Sequence, residues 1–223
     1  MTAGLDEAVE AALKVSGITG KKDLTALYLA ARGVRLGGRI VEIGSFRGRS
    51  TVALALGLRD GKNQTARVYA VDPFQGNLTP TKIVPPTFDE FLRNIRATGI
   101  EEWVVPLKMT SEEAAKQWDG KPIDVLWIDG KHEYPAPAED IRAWAPFLKT
   151  GGLLLVDDCY MPGVERSLAE EVAASSEFVR LWIDDGLAYA VKGPCKGWRL
   201  WGKRVYFRVW TALAALRFAL LPP

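Results

Sequence analysis

Carboxylates gather at the ends of two apolar runs. In Asp124-Val125-Leu126-Trp127-Ile128-Asp129-Gly130-Lys131-His132, Asp129 and the chain's single histidine follow a strand-like stretch. In Leu153-Leu154-Leu155-Val156-Asp157-Asp158, two more carboxylates follow another. The ends of neighbouring strands in a doubly wound sheet face one ligand crevice. Three carboxylates meeting there would repel one another and resist ionising together. A hard divalent cation removes that conflict, and an oxygen-only set of Asp129, Asp157 and Asp158 suits Mg2+, Mn2+ or Ca2+. His132 titrates near neutrality and could act as a general base, orient a metal ligand, or only cap its loop. The plainest alternative is a set of strand-end acids with no shared task.

A second constellation lies earlier. Ile40-Val41-Glu42-Ile43-Gly44-Ser45-Phe46-Arg47-Gly48-Arg49-Ser50 reads as a strand, a glycine turn and a helix start. Glycines let a backbone turn tightly and approach a ligand, and a helix N-terminus offers free N–H groups. The spacing is Glu-x-Gly-x-x-x-Gly, so the dinucleotide fingerprint Gly-x-Gly-x-x-Gly is not met. Glu42, Gly44, Ser45 and Gly48 are candidate contacts for a nucleotide-like ligand. Asp72, ending the run Val68–Val71, stands where ribose hydroxyls are bound. Ser111, within Thr110-Ser111-Glu112, either meets an adenine edge or belongs to a helix N-cap.

The elements that would carry these residues follow from periodicity. Residues 5–15 and 22–32 read as helices. Apolar runs at Arg39–Ile43, Arg67–Val71, Trp103–Leu107, Ile123–Ile128 and Gly152–Val156 read as strands, separated by helices at 49–58, 87–97, 111–118, 137–148 and 164–175. Such alternation predicts a mostly parallel sheet with helices on both faces. Phe178–Ile183 and Leu187–Val191 flank Asp184-Asp185-Gly186, a hairpin signal that closes the sheet with antiparallel strands. The expected class is α/β: a Rossmann-like, doubly wound, seven-stranded sheet with an antiparallel terminal hairpin, plus a C-terminal amphipathic helix.

Glu42-Ile43-Gly44, Asp72-Pro73-Phe74, Ile128-Asp129-Gly130-x-His132-x-Tyr134, Gly151-Gly152 and Val156-Asp157-Asp158 together resemble a known group. They are similar to class I S-adenosylmethionine (SAM)-dependent methyltransferases, specifically the macrocin and cephamycin type of small-molecule O-methyltransferase, and more distantly catechol O-methyltransferase. The resemblance covers about residues 36–192. It implies SAM at Glu42, Gly44, Ser45, Gly48, Asp72, Ser111 and Asp129, and a cation on Asp129, Asp157 and Asp158. It also implies a base near the fourth-strand acid, often a lysine or an acid; here Lys131 and His132 stand in that region. The acceptor would be a hydroxyl on a small molecule, a sugar or a lipid-linked glycan. On this basis residues 1–35 are N-terminal helices on the substrate side, 36–193 the catalytic domain, and 194–223 a basic tail. Segment 74–88, without clear periodicity, joins the N-terminal helices as the expected lid. The competing readings are an NAD(P)-dependent oxidoreductase and a non-catalytic, membrane-bound scaffold of the same fold.

Composition suits a single domain with a few dozen additional residues. Cys159 and Cys195 suggest no disulfide framework or zinc site, no secretory signal pattern opens the chain, and a cytoplasmic location is expected. All 27 acidic residues lie at or before Asp185, whereas seven of the 29 basic ones (Lys192, Lys196, Arg199, Lys203, Arg204, Arg208, Arg217) follow it. In the tail, Trp198, Trp201, Val205, Val209, Ala212, Leu213, Leu216 and Leu220 make an apolar stripe, with Lys196, Arg199, Lys203 and Arg217 on another face. This predicts an amphipathic helix that packs on its own domain or on a second copy in a homo-oligomer, or lies on an anionic membrane through residues 196–221 as a peripheral anchor. Nucleic acid is the least favoured partner.

Overall fold

A computed structural model describes the backbone of residues 3–79 and 82–220 and the side chains of residues 4–76 and 85–214. In chain order its elements are helices α1 (Ala3–Leu13) and α2 (Lys21–Arg32), strand β1 (Arg39–Ile43), α3 (Arg49–Asp60), β2 (Arg67–Val71), β3 (Asn77–Thr79), β4 (Lys82–Val84), α4 (Phe88–Ala97), β5 (Val104–Leu107), α5 (Ser111–Lys116), β6 (Ile123–Ile128), α6 (Ala136–Trp144), β7 (Leu148–Val156), α7 (Pro162–Leu168), β8 (Phe178–Asp184), β9 (Leu187–Lys192) and α8 (Trp198–Leu220). Seven strands form one mostly parallel sheet in the order β5-β2-β1-β6-β7-β9-β8. β1 pairs in parallel with β2, and β2 with β5. β9 runs antiparallel to both β7 and β8. The strands lie within a residue or so of their predicted bounds, except β7, which begins at Leu148. Segment 74–88 departs from expectation: β3 and β4 pair there as a separate antiparallel ribbon. Three-residue strands carry too few alternations for periodicity to register.

The chain divides into two compact units, Met1–Trp127 and Ile128–Pro223. In the first, β1 is buried along Ile40–Ile43, and its entry is fixed by the Asp124 carboxylate, which accepts from the Arg39 N–H at 2.9 Å. Helices α1 and α2 both pack on α3, and the Tyr28 hydroxyl donates to Asp60 at 2.9 Å. The N-terminal helices are thus part of the core, with Ala8, Val9, Ala12, Leu24, Leu27 and Ala31 buried.

In the second unit the β8–β9 hairpin turns on Asp185 and Gly186, with φ of 51° and 94°. Two successive left-handed residues are what the Asp-Gly pair predicts. α7 runs on into a π-helical turn at Ala169–Ala173, against which α8 packs, and α8 also lies on β8. The docking face of α8 is not the one the sequence suggested. Lys203 and Phe207 are buried, and Trp210 stacks on Tyr160 at 5.2 Å. Lys203 was expected among the solvated cations; instead its Nζ donates to the carbonyls of Ser175 and Phe178 at 2.7 and 2.5 Å. Ser175 lies just past the π-helical turn and Phe178 opens β8, so the Lys203 amine ties the two elements together. Arg204 donates to Ala174 O, and the Tyr206 hydroxyl accepts from Ile183 N–H. Trp198, Trp201, Val205, Val209, Ala212 and Leu213 are exposed. The side chains of Leu216, Arg217 and Leu220, also placed on the stripe or its basic face, lie outside the described residues. No described helix is long and apolar enough to cross a membrane.

Candidate active site

In the first unit the glycine turn is braced from below. Glu42 is fully buried and its carboxylate accepts from the hydroxyls of Ser45 and Thr51, at 2.8 and 2.5 Å. Glu42 and buried Ser45, both expected as ligand contacts, therefore form an internal brace that fixes the turn. Gly44 and Gly48 each have φ of 90°, which only glycine adopts without strain. A Cβ on Gly48 would also lie 3.1 Å from Phe91.

Asp72 clamps this turn. One carboxylate oxygen accepts from Phe46 N–H at 2.8 Å and the other from Phe74 N–H at 2.6 Å. Phe46 and Phe74 both sit in the left-handed region, with φ of 47° and 53°, so a single side chain holds two strained residues in place. A carboxylate offers about four acceptor positions, which leaves capacity for ribose hydroxyls beside the two bonds to the backbone. The turn's own arginines secure the α1–α2 connection: Arg49 donates to Val15 O and Thr19 O, and Arg47 to Ser16 Oγ. Neither arginine carries a local sequence signal for this role. Thr110 and Glu113 form a reciprocal capping box at the start of α5, with Ser111 as its first helical residue. The N-cap reading of this segment is therefore present in the structure.

In the second unit Asp129, His132 and Asp158 converge, each with a ligand atom within 4.8 Å of the others. His132 Nε2 is buried, faces Asp158 Oδ2 at 3.1 Å and Asp129 Oδ1 at 3.7 Å, and has no hydrogen bond of good geometry. Its interaction with Asp129 raises the imidazole pKa, burial opposes this, and the charges of Asp158, Asp129 and Asp157 add to the rise. Asp157 N–H donates to Ile128 O at 3.0 Å, tying this turn to the end of β6. Its side chain accepts from Asp158 N–H at 2.9 Å. Asp158 itself has φ of 51°, a conformation aspartate tolerates better than most residues. The three-member group thus contains His132 where the sequence reading had placed Asp157. Lys131, the other candidate base, is exposed.

This group fits a divalent cation: two carboxylates supply charge, and a buried ring nitrogen faces them without a well-formed hydrogen bond. One nitrogen donor changes the expected preference, because imidazole favours transition-metal ions where an all-oxygen set favours Mg2+ or Ca2+. Mn2+ tolerates both donor types. A glycine the sequence reading missed holds the loop. A Cβ on Gly163, at the start of α7, would lie 2.2 Å from His132 O and 2.5 Å from Tyr134 N. Only an absent side chain lets α7 close on the His132 backbone. Burial, then the charge of Asp157, pushes the thiol of the neighbouring Cys159 up to about 12, which disfavours its thiolate.

Residues 41–159 match a family model described as a methyltransferase domain. Among solved structures, the chain is similar to the O-methyltransferase NovP, with 21% identity, 78% of this chain and 80% of that one covered, and a TM-score of 0.64. It is similar to cofactor-bound Rv0187 from MTB, with 19% identity, 86% and 88% covered, and a TM-score of 0.63. It is also similar to an O-methyltransferase from Bacillus cereus in complex with SAH, with 18% identity, 85% and 91% covered, and a TM-score of 0.61. At these identities the structural likeness establishes the fold.

Proposed function

The chain belongs to the methyltransferase-domain family and is a SAM-dependent methyltransferase; on that premise we propose that it methylates a hydroxyl oxygen of a small molecule, aided by a divalent cation on Asp129, His132 and Asp158. The observation that carries the oxygen-acceptor reading is the convergence of those three side chains. The O-methyltransferases among its structural neighbours support the same acceptor chemistry. These matches do not favour the oxidoreductase or scaffold alternatives.

The reaction divides into two tasks. A sulfonium methyl group is already activated, so the donor needs to be held and aimed; ideal positioning is worth about 7–11 kcal/mol. The Gly44–Gly48 turn suits that task, with Asp72 on the ribose and Ser111 toward the adenine edge. Glu42 and Ser45 would act as positioning residues through the shape of the turn. The acceptor hydroxyl must lose its proton to solvent, and a bound cation would ease that loss by lowering the hydroxyl's pKa and fixing its direction. Asp129 and Asp158 would provide the charge that holds the cation and His132 would complete the set, while Asp157 accepts from the Asp158 backbone N–H and adds to the local negative field.

The test is methyl transfer from labelled SAM to a panel of phenols and sugars, before and after EDTA. The reading expects labelled methyl ethers, loss of activity on chelation, and recovery with Mn2+. Full activity after exhaustive chelation would overturn the cation and leave His132, poised by Asp129, as a metal-free base.

A further inference from the structure

Among the described residues, helix α8 is anchored by one face, and its opposite face is apolar and exposed. Lys203, Phe207 and Trp210 point inward onto the second unit. At 100° per residue, Trp198, Trp201, Val205, Val209 and Ala212 fall on the far side of the helix from those three. Trp198 is 78% exposed, Trp201 67%, Val209 52% and the flanking Leu213 60%. A continuous apolar strip of this kind on a well-anchored helix marks an interaction surface.

The charge around the strip says what it meets. Arg199 and Arg208 are exposed on the helix beside it, Arg204 is exposed while its guanidinium donates to Ala174 O, and no acidic residue follows Asp185. Two such faces would bring arginines against arginines with no acid of the helix between them, which disfavours a second copy. Nucleic acid would leave the tryptophan and valine centre without a partner. An anionic lipid surface satisfies both parts: apolar side chains enter the acyl boundary, tryptophan rings sit at headgroup level, and the cations meet lipid phosphates and carboxylates. We propose that the outward face of α8 docks on an anionic membrane surface, lying in its plane. None of the residues on this face is among those assigned to methyl transfer.

Sedimentation of the full chain with vesicles tests it, using phosphatidylcholine alone and phosphatidylcholine with phosphatidylserine. The wild type should pellet only with the anionic vesicles, and less so as salt rises. The pair Trp201→Glu and Val209→Glu should remove binding, while Arg199→Gln with Arg208→Gln should lower it about fivefold per charge. Both pairs lie on exposed positions and should keep the wild-type melting temperature, which separates lost docking from lost folding. Wild-type protein that stays in solution with anionic vesicles overturns the proposal. So does a wild-type dimer that Trp201→Glu with Val209→Glu converts to monomer, which would make the face an interface between copies.

Discussion

Asp72 shows how much one carboxylate can do in this chain. It holds Phe46 and Phe74 in left-handed conformations and retains acceptor capacity for a ribose. Asp72→Ala should weaken SAH binding by about 1.5–3 kcal/mol, the range for a charged hydrogen-bond acceptor. Calorimetric titration reads this directly, and unchanged affinity would place the ribose elsewhere. Gly163→Ala addresses the other group. The new methyl meets backbone at 2.2 Å, so either α7 or the His132 loop must shift. Overpacking of this kind costs about 1–3 kcal/mol. We expect a lower Tm and weaker Mn2+ binding together; intact metal binding would show that His132 is positioned by other contacts. The sequence named Asp72, Asp129, His132 and Asp158 from their places after apolar runs. It could not reveal that Glu42 and Ser45 turn inward, because a strand-end acid looks the same whether it faces a ligand or a buried hydroxyl. Gly163 gave no signal either, since a glycine needed for close approach between segments distant in sequence has no local signature.

Among the elements, α8 carries the clearest physical consequence. Burial lowers the Lys203 pKa from its ordinary 10.5 to about 8. The unfolded chain therefore binds the proton more tightly, and the folded state releases it first. Between about pH 8 and 10.5 the unfolded state holds more protons on this residue, so its contribution to stability should rise with pH across that window and be lowest below pH 8. The Tm difference between wild type and Lys203→Met, followed from pH 7 to 10, should move in favour of the wild type. Movement the other way would show that the protonated amine is the better-stabilised form. The strands of the seven-stranded sheet were legible, since apolar runs between helical stretches have few other solutions. The docking face of α8 was not. Helical periodicity finds an apolar stripe but does not say which way it points, and here a buried lysine with two carbonyl partners replaces the expected apolar contact. The same limit applied to β3 and β4, too short to show alternation.

For the whole molecule, the family match at residues 41–159 spans both constellations, the glycine turn and the acid–histidine group. The α1–α2 connection and the basic tail lie outside that match. The central proposal is that Asp129, His132 and Asp158, in the second unit, hold a divalent cation. Electron paramagnetic resonance during Mn2+ titration of the SAH-loaded protein tests it most directly. The account predicts a single bound Mn2+ per chain, lost in Asp158→Asn and in Asp129→Asn and retained in the exposed-lysine control Lys131→Gln. A free-ion signal that rises from the first addition in wild type, as it does in Asp158→Asn, would contradict it.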